Sequence, residues 1–179
     1  MDIVETVTVL GSITVGLTSV ILALCQYIKT SKMKRASVFN DLIEKLRADP
    51  EIRKWIRIID YGKDWYGEEL HHSYDKEAAV DKTLQTFSYI CYLRENKLID
   101  EKEFSTIKYE IWRILGDKGV QNYMFNLYHF SSNFFHRKYP KDVETFPFNF
   151  LLSYGVSERL IRDSFFDKNS KEYNKILNF

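Results

Sequence analysis

The sequence has few of the residues on which catalytic, metal-binding and disulfide-rich proteins depend. Its 179 residues include two cysteines, four histidines and three prolines. Cys25 and Cys91 are too few for a disulfide framework and lack metal-ligand spacing, which suits a reducing cytosol. Neither a Gly-rich phosphate loop nor an H-E-x-x-H, G-x-S-x-G or C-x-x-C motif occurs. We therefore expect no enzyme, no resident metal and no cofactor.

One catalytic alternative stays open around a turn-rich loop that starts at Gly62 and extends to Tyr74. The loop region holds four side chains that could assemble into a site: Asp60, Asp64, His71 and His72. Adjacent histidines point to different sides of a helix or strand, and no further Cys or His stands at a suitable spacing, so a metal site is not expected. A closed polar cleft in this region would indicate an enzyme.

Charge is absent from the longest apolar run, which extends from Thr6 to Ile28. As a helix these 23 residues measure about 34 Å, and a bilayer core is about 30 Å thick. The basic residues follow the run (Lys29, Lys32, Lys34 and Arg35), whereas a signal peptide carries them first. We predict a transmembrane helix rather than a cleaved signal or a buried core helix. Because cations flank its C-terminal end, the rest of the chain should be cytoplasmic and the N-terminus outside.

The predicted span has two unlike sides when it is projected at 100° per residue. Small and polar residues occupy one narrow arc: Glu5, Thr8, Ser12, Gly16, Ser19, Ala23 and Gln26. Large apolar residues occupy the opposite side and suit contact with acyl chains. Small and hydroxyl side chains gather where membrane helices pack closely or where a cavity holds water. The arc therefore predicts a parallel homo-oligomer, with a tetramer as the expected size, and leaves open whether its seam is tightly packed or lines a pore.

The remainder of the chain predicts one helical domain. Residues 29–48 form a basic collar and a juxtamembrane helix, and residues 49–179 have the size of a single domain. Aromatic residues make up 16% of the chain, which indicates either an aromatic core or a surface that stacks against partners. Nearly every periodic segment repeats every 3.6 residues. We therefore predict a mainly α protein, with one N-terminal transmembrane helix and a compact all-helical cytosolic domain.

Local signals predict where the helices begin and end. Asp49 is expected as the N-cap of a helix that begins at Pro50, and Asp75 as the N-cap of a helix ending near Arg94. Asp100 with Glu103 predicts a capping box, and Gly116 ends that helix. An aromatic helix should span 120–139, and another should start at Ser157 and run through Phe166.

Two clusters combine cations with aromatic rings, the arrangement that phosphates and bases need. The candidate ligand-binding residues are Arg53, Lys54, Arg57, Tyr61 and Trp65 in the first cluster and His136, Arg137 and Lys138 in the second. The ordinary alternatives are a solvated helix face for the first cluster and a helix terminus complemented by cations for the second. We expect a nucleotide or a single-stranded oligonucleotide as the ligand.

The layout resembles the single-span membrane effectors of bacterial phage-defence systems, and Hailong-type effectors most closely. The resemblance rests on a short outward tail, one span with a small and polar stripe, a basic collar and a helical cytosolic domain. It implies a homo-oligomeric pore in the bacterial inner membrane, controlled by a nucleotide ligand. No motif carries functional residues over from that family. The alternative is a membrane-tethered scaffold whose aromatic surfaces bind a protein partner.

Overall fold

The computed structural model is mainly helical, as the periodicity predicts. It describes residues 3–62, 64–71, 73–134, 146–167 and 169–170, and it describes side chains from residue 16 onward in the first helix and up to residue 131 in the seventh. Strands are absent from these ranges. The helices are α1 (Ile3–Ala48), α2 (Pro50–Asp60), α3 (Glu68–His71), α4 (Tyr74–Glu95), α5 (Glu101–Ser105), α6 (Lys108–Gly116), α7 (Lys118–Phe134) and α8 (Asn149–Ser157), followed by a 3-10 helix (Asp163–Phe166).

The chain divides into two compact units, Met1–Asp41 and Leu42–Phe179. Helix α1 supplies the first unit and continues to Ala48, because no proline or glycine interrupts it after Gly16. Among the residues whose side chains are described, no helix has both the length and the apolarity needed to cross a membrane. Residues 6–15 of the predicted span lie outside those side chains.

Several helix ends confirm the sequence signals. Asp49 caps α2, since its carboxylate accepts hydrogen bonds from the amides of Glu51 at 3.0 Å and Ile52 at 3.2 Å. Asp100 and Glu103 form the expected capping box at α5, with reciprocal hydrogen bonds of 2.8 and 2.7 Å. These side-chain bonds satisfy amides that the helices leave open.

Three helix predictions need correction. Ser73 rather than Asp75 holds the N-cap position of α4, and Asp75 stands in the first turn, where a carboxylate also favours the helix dipole. The helix expected from Asp100 to Gly116 is split into α5 and α6 at Thr106 and Ile107. The helix expected from Ser157 to Phe166 is wrong as well.

The last correction has a local cause at Arg159. Its φ of 57° is left-handed, so the chain turns back and the amides of Leu160 and Ile161 both donate to the carbonyl of Gly155, at 2.8 and 3.3 Å. This hydrogen-bond pattern ends a helix. Helix α8 therefore stops at Ser157, and only a short 3-10 helix follows.

The core of the second unit lies around α4 and α7. Helix α4 contacts α2, α3, α5 and α8, and α6 packs against α7 and α2. The aromatic helix predicted for 120–139 is α7, and its described part buries Tyr123, Phe125 and Tyr128 almost completely. These three residues therefore form core, whereas Phe130 of the same helix is 36% exposed. Residues 135–139 lie outside the described residues.

Candidate functional site

An open groove on α2 brings four of the predicted ligand-binding residues together. We call it the cationic groove: it is lined by Pro50, Arg53, Lys54, Arg57, Ile58 and Tyr61 and encloses about 410 Å³. The groove follows from the amphipathic pattern of α2, which buries Ile52, Trp55 and Ile59 on the opposite face. The outward prediction for Arg53, Lys54 and Arg57 is confirmed, since all three are exposed. Tyr61 is 76% exposed at the end of the helix, where its ring can be reached.

The carboxylates of segment 49–60 are all paired with cations outside it. Lys82 of α4 lies 2.8 Å from a carboxylate oxygen of Asp49 and 2.7 Å from one of Glu51. The hydrogen bond from Lys82 is the main cause that lowers the pKa of Asp49. Arg113 of α6 forms the ion pair with Asp60. Within the described residues, Arg53, Lys54 and Arg57 consequently have no carboxylate partner, and the groove presents unneutralised positive charge.

Trp65 lies in a second groove rather than in the cationic one. This Trp65 groove encloses about 480 Å³ and shares Lys54 and Ile58 with the cationic groove. The indole N–H of Trp65 donates to Asp117 at 3.1 Å, and its ring meets Trp55 edge-on at 5.4 Å. A side chain at Gly119 would place its Cβ 2.7 Å from the indole nitrogen, so a larger residue there would have to displace the ring. These contacts fix the position of the ring.

His71, one residue of the catalytic alternative, lies in a buried hydrogen-bonded cluster. Its side chain is 1% exposed, with Nδ1 lying 2.9 Å from Glu77 Oε1 and Nε2 3.3 Å from the Tyr66 hydroxyl. Asn126 Nδ2 donates to the same hydroxyl at 2.6 Å. Burial raises the pKa of Tyr66 to about 12, which disfavours the phenolate that a nucleophile would need. His71 and Asn126 are buried in the core, and Tyr66 also lines the Trp65 groove.

Asp60 and Asp64 do not contact the His71 side chain. Asp60 is engaged by Arg113, and Asp64 lines the Trp65 groove as an exposed carboxylate. His72 lies outside the described residues. In the part of the chain that the structure describes, no group of three or more His, Cys, Asp or Glu side chains could hold a metal ion.

The second predicted ligand cluster and part of the polar arc cannot be located. His136, Arg137 and Lys138 lie outside the described residues, as do the side chains of Glu5, Thr8 and Ser12. The remaining members of the arc are exposed along α1: Gly16, Ser19, Ala23 and Gln26.

Sequence reasoning missed the outer face of α6. Tyr109 is 67% exposed and Trp112 is 41% exposed, while Ile111, Ile114 and Leu115 are buried beneath them. The Arg113 guanidinium lies 5.2 Å from the centre of the Tyr109 ring, and the Lys108 ammonium lies 4.8 Å from the Trp112 ring. The helical period already places both aromatic residues off the isoleucine face. Projecting this short helix at 100° per residue, as for the predicted span, separates Tyr109 and Trp112 from the buried isoleucines.

No protein-family model, curated protein sequence or solved structure matches this chain significantly.

Proposed function

We propose that the protein is a homo-oligomeric membrane effector, a pore in the bacterial inner membrane that a nucleotide or oligonucleotide regulates. The observation that carries the proposal is the exposure of α1. Every residue from Gly16 to Lys34 is exposed in the single chain, including Leu17, Ile21 and Leu24 at 55–59%. Covering one such side chain gains about 1.5–3 kcal/mol, so water is a poor environment for this helix. The uncharged run from Thr6 to Ile28 supports lipid as the covering medium.

The distribution of these residues supports assembly. Ser19 and Ala23 share one face of α1, and Leu17, Ile21 and Leu24 share the other. Helices in lipid associate through small and hydroxyl residues rather than through leucine. A parallel bundle with the Ser19 face inward leaves the leucines toward the acyl chains. Its seam can hydrogen-bond to neighbouring helices when closed and to water when open.

The cationic groove supports control by an anionic ligand. Arg53 and Arg57 supply charge for phosphate groups, and the exposed ring of Tyr61 is available for a base. A ligand shifts the pore equilibrium only if it binds the open and closed states with different affinities. The resemblance to Hailong-type effectors makes phage defence the expected setting.

The test of the pore uses the full chain in liposomes and the double substitution Ser12→Leu with Ser19→Leu. We expect the substitution to abolish ion flux and membrane depolarisation, while oligomer size by cross-linking and nucleotide affinity stay unchanged. Leu17→Ile on the opposite face is the matched control and should conduct normally. A wild-type protein that is monomeric in mild detergent, or that never conducts with or without nucleotides, would reject the pore.

The test of the ligand uses Arg53→Gln with Arg57→Gln. Phosphate contacts release counterions, so nucleotide affinity of the wild type should fall steeply with salt and the double variant should lose most of it. Arg94→Gln is a control, because this arginine pairs with Glu101 away from the groove, at 3.0 Å. Unchanged affinity in the double variant would show that the cationic groove is not the site.

The alternative function is a membrane-tethered scaffold, and the exposed α6 face favours it. Tyr109 and Trp112 present aromatic surface of the kind that is enriched at protein interfaces. Replacing residues 6–28 with an unrelated apolar helix separates the two functions. A scaffold keeps its activity after this exchange, whereas a pore loses it.

A further inference from the structure

The Trp65 groove differs from the cationic groove because three aromatic side chains, here called the aromatic floor, line it. Trp55, Trp65 and Tyr66 line it with aromatic surface, and the Trp65 ring lies 5.4 Å from Trp55 and 5.9 Å from Tyr66. Because the Trp65 indole also donates to Asp117, the ring is held in place before any ligand arrives. A fixed ring loses little conformational freedom on binding, which favours affinity.

The rim of the same groove carries unpaired charge of predominantly negative sign. Asp64, Glu68 and Glu69 are exposed there, and none of them forms an ion pair with a described residue. Lys54 and Lys76 also reach the rim and are likewise unpaired among the described residues. Among the described residues, carboxylates thus outnumber ammonium groups at the opening, and both lysines have long flexible stems that can turn toward water.

We propose that the Trp65 groove binds an organic cation, an alkylammonium or guanidinium group whose charge lies between the aromatic floor and the carboxylate rim. Aromatic faces attract cations through the ring quadrupole, and carboxylates supply the opposing charge. The volume of about 480 Å³ falls within the usual range of small-ligand sites. A phosphate would instead meet three carboxylates, which sets this site apart from the cationic groove.

Two sources can supply such a cation: a free polyamine, or an arginine or lysine side chain of a partner protein. They share the same chemistry at the floor and the rim. They differ in what flanks the charged group, since a side chain brings peptide groups with it and a polyamine brings further ammonium groups. The proposal does not depend on the pore or on the nucleotide site.

The experiment is calorimetric titration of the full-length protein in detergent with three probes. They are spermidine, N-acetylarginine amide and N-acetylcitrulline amide, the last being a neutral analogue of the arginine probe. We expect at least one cation to bind, and the arginine probe to bind at least tenfold more tightly than the citrulline probe. Stronger binding of spermidine assigns the site to a free polyamine, and stronger binding of the arginine probe assigns it to a protein side chain.

Substitutions of the charged residues at the rim test whether the cation binds in this groove. Glu68→Gln with Glu69→Gln should weaken cation binding at least tenfold, whereas Lys76→Gln should leave it unchanged or strengthen it. All three positions are exposed, so the fold should tolerate these changes. Measurable and equal binding of the arginine and citrulline probes, no binding of either cation, or weaker cation binding in the Lys76 variant would overturn the proposal. Nucleotide affinity is also measured on the Glu68/Glu69 variant. It should be unchanged, because neither residue lines the cationic groove.

Discussion

The two units differ in how far they bury the same type of side chain. Leu24 in the first unit is 55% exposed, and Leu84 in the second is 1% exposed. Composition does not explain the contrast, because leucine, isoleucine and valine occur in both units. The difference is what surrounds them: in the second unit several helices pack around α4, whereas in the first the described part of α1 from Gly16 to Lys34 stays uncovered. The second unit buries these side chains within the chain, whereas the described part of the first unit leaves them exposed.

The sharpest test of this contrast is the same substitution made in each unit. Leu84→Ala should lower the free energy of unfolding of the second unit by about 2–5 kcal/mol, because it opens a cavity in a closed core. Leu24→Ala should leave that free energy unchanged. Chemical denaturation followed by the fluorescence of Trp55 and Trp65, both in the second unit, measures both variants. A comparable loss in the two variants would show that the exposed helix contributes to the stability of that core.

The second unit also contains a half-buried carboxyl group, Asp81, that makes its stability depend on pH. The Tyr123 hydroxyl donates to Asp81 Oδ1 at 2.5 Å. Burial is the main cause that raises the pKa of Asp81 above its ordinary value, so the folded protein favours the neutral carboxyl. The contribution of Asp81 to stability is therefore highest below the unfolded pKa of about 3.9 and declines as pH rises through the folded pKa.

Asp81→Asn removes that decline, because the amide oxygen still accepts from Tyr123 and carries no charge. The gain in free energy of unfolding of the variant over the wild type should therefore be larger at pH 7 than at pH 4. Urea denaturation at both pH values measures the difference. Glu95→Gln, at an exposed position on the same helix, is the control and should show a smaller change between the two pH values. The variant and the wild type could instead differ in free energy of unfolding by the same amount at both pH values. In that case, ionisation of Asp81 would not destabilise the folded protein.

In the second unit, sequence patterns predicted local features better than tertiary contacts. Periodicity and caps were enough for the helical class, for the capping bonds of Asp49 and Asp100, and for the outward face of Arg53 and Arg57, because these depend on neighbours within a few residues. The role of Trp65 depends on Asp117 and Gly119, which lie far away in the sequence. The unpaired state of the α2 cations depends on Lys82 and Arg113 in other helices. Such contacts are set by tertiary packing, which no local pattern contains.

The smallest expected effect concerns how the helices end. Helix α1 continues for 46 residues, whereas α4 in the second unit stops at a C-cap where Lys97 adopts a left-handed φ of 57°. The amides of Leu98 and Ile99 then donate to the carbonyl of Leu93, at 2.8 and 3.3 Å. A side chain is strained in that conformation by about 1–2 kcal/mol, and glycine is not.

Lys97→Gly should therefore stabilise the second unit, by less than about 1 kcal/mol, because the greater freedom of glycine in the unfolded chain offsets part of the relieved strain. Asn96→Gly is the matched control: Asn96 has a φ of −82°, and its side chain donates to the carbonyl of Tyr92 at 3.0 Å, so glycine should destabilise at that position. Opposite signs at adjacent residues, measured by urea denaturation, would place the effect in the backbone conformation rather than in the loss of a side chain. Destabilisation by both substitutions would mean that the Lys97 side chain contributes more than its conformation costs.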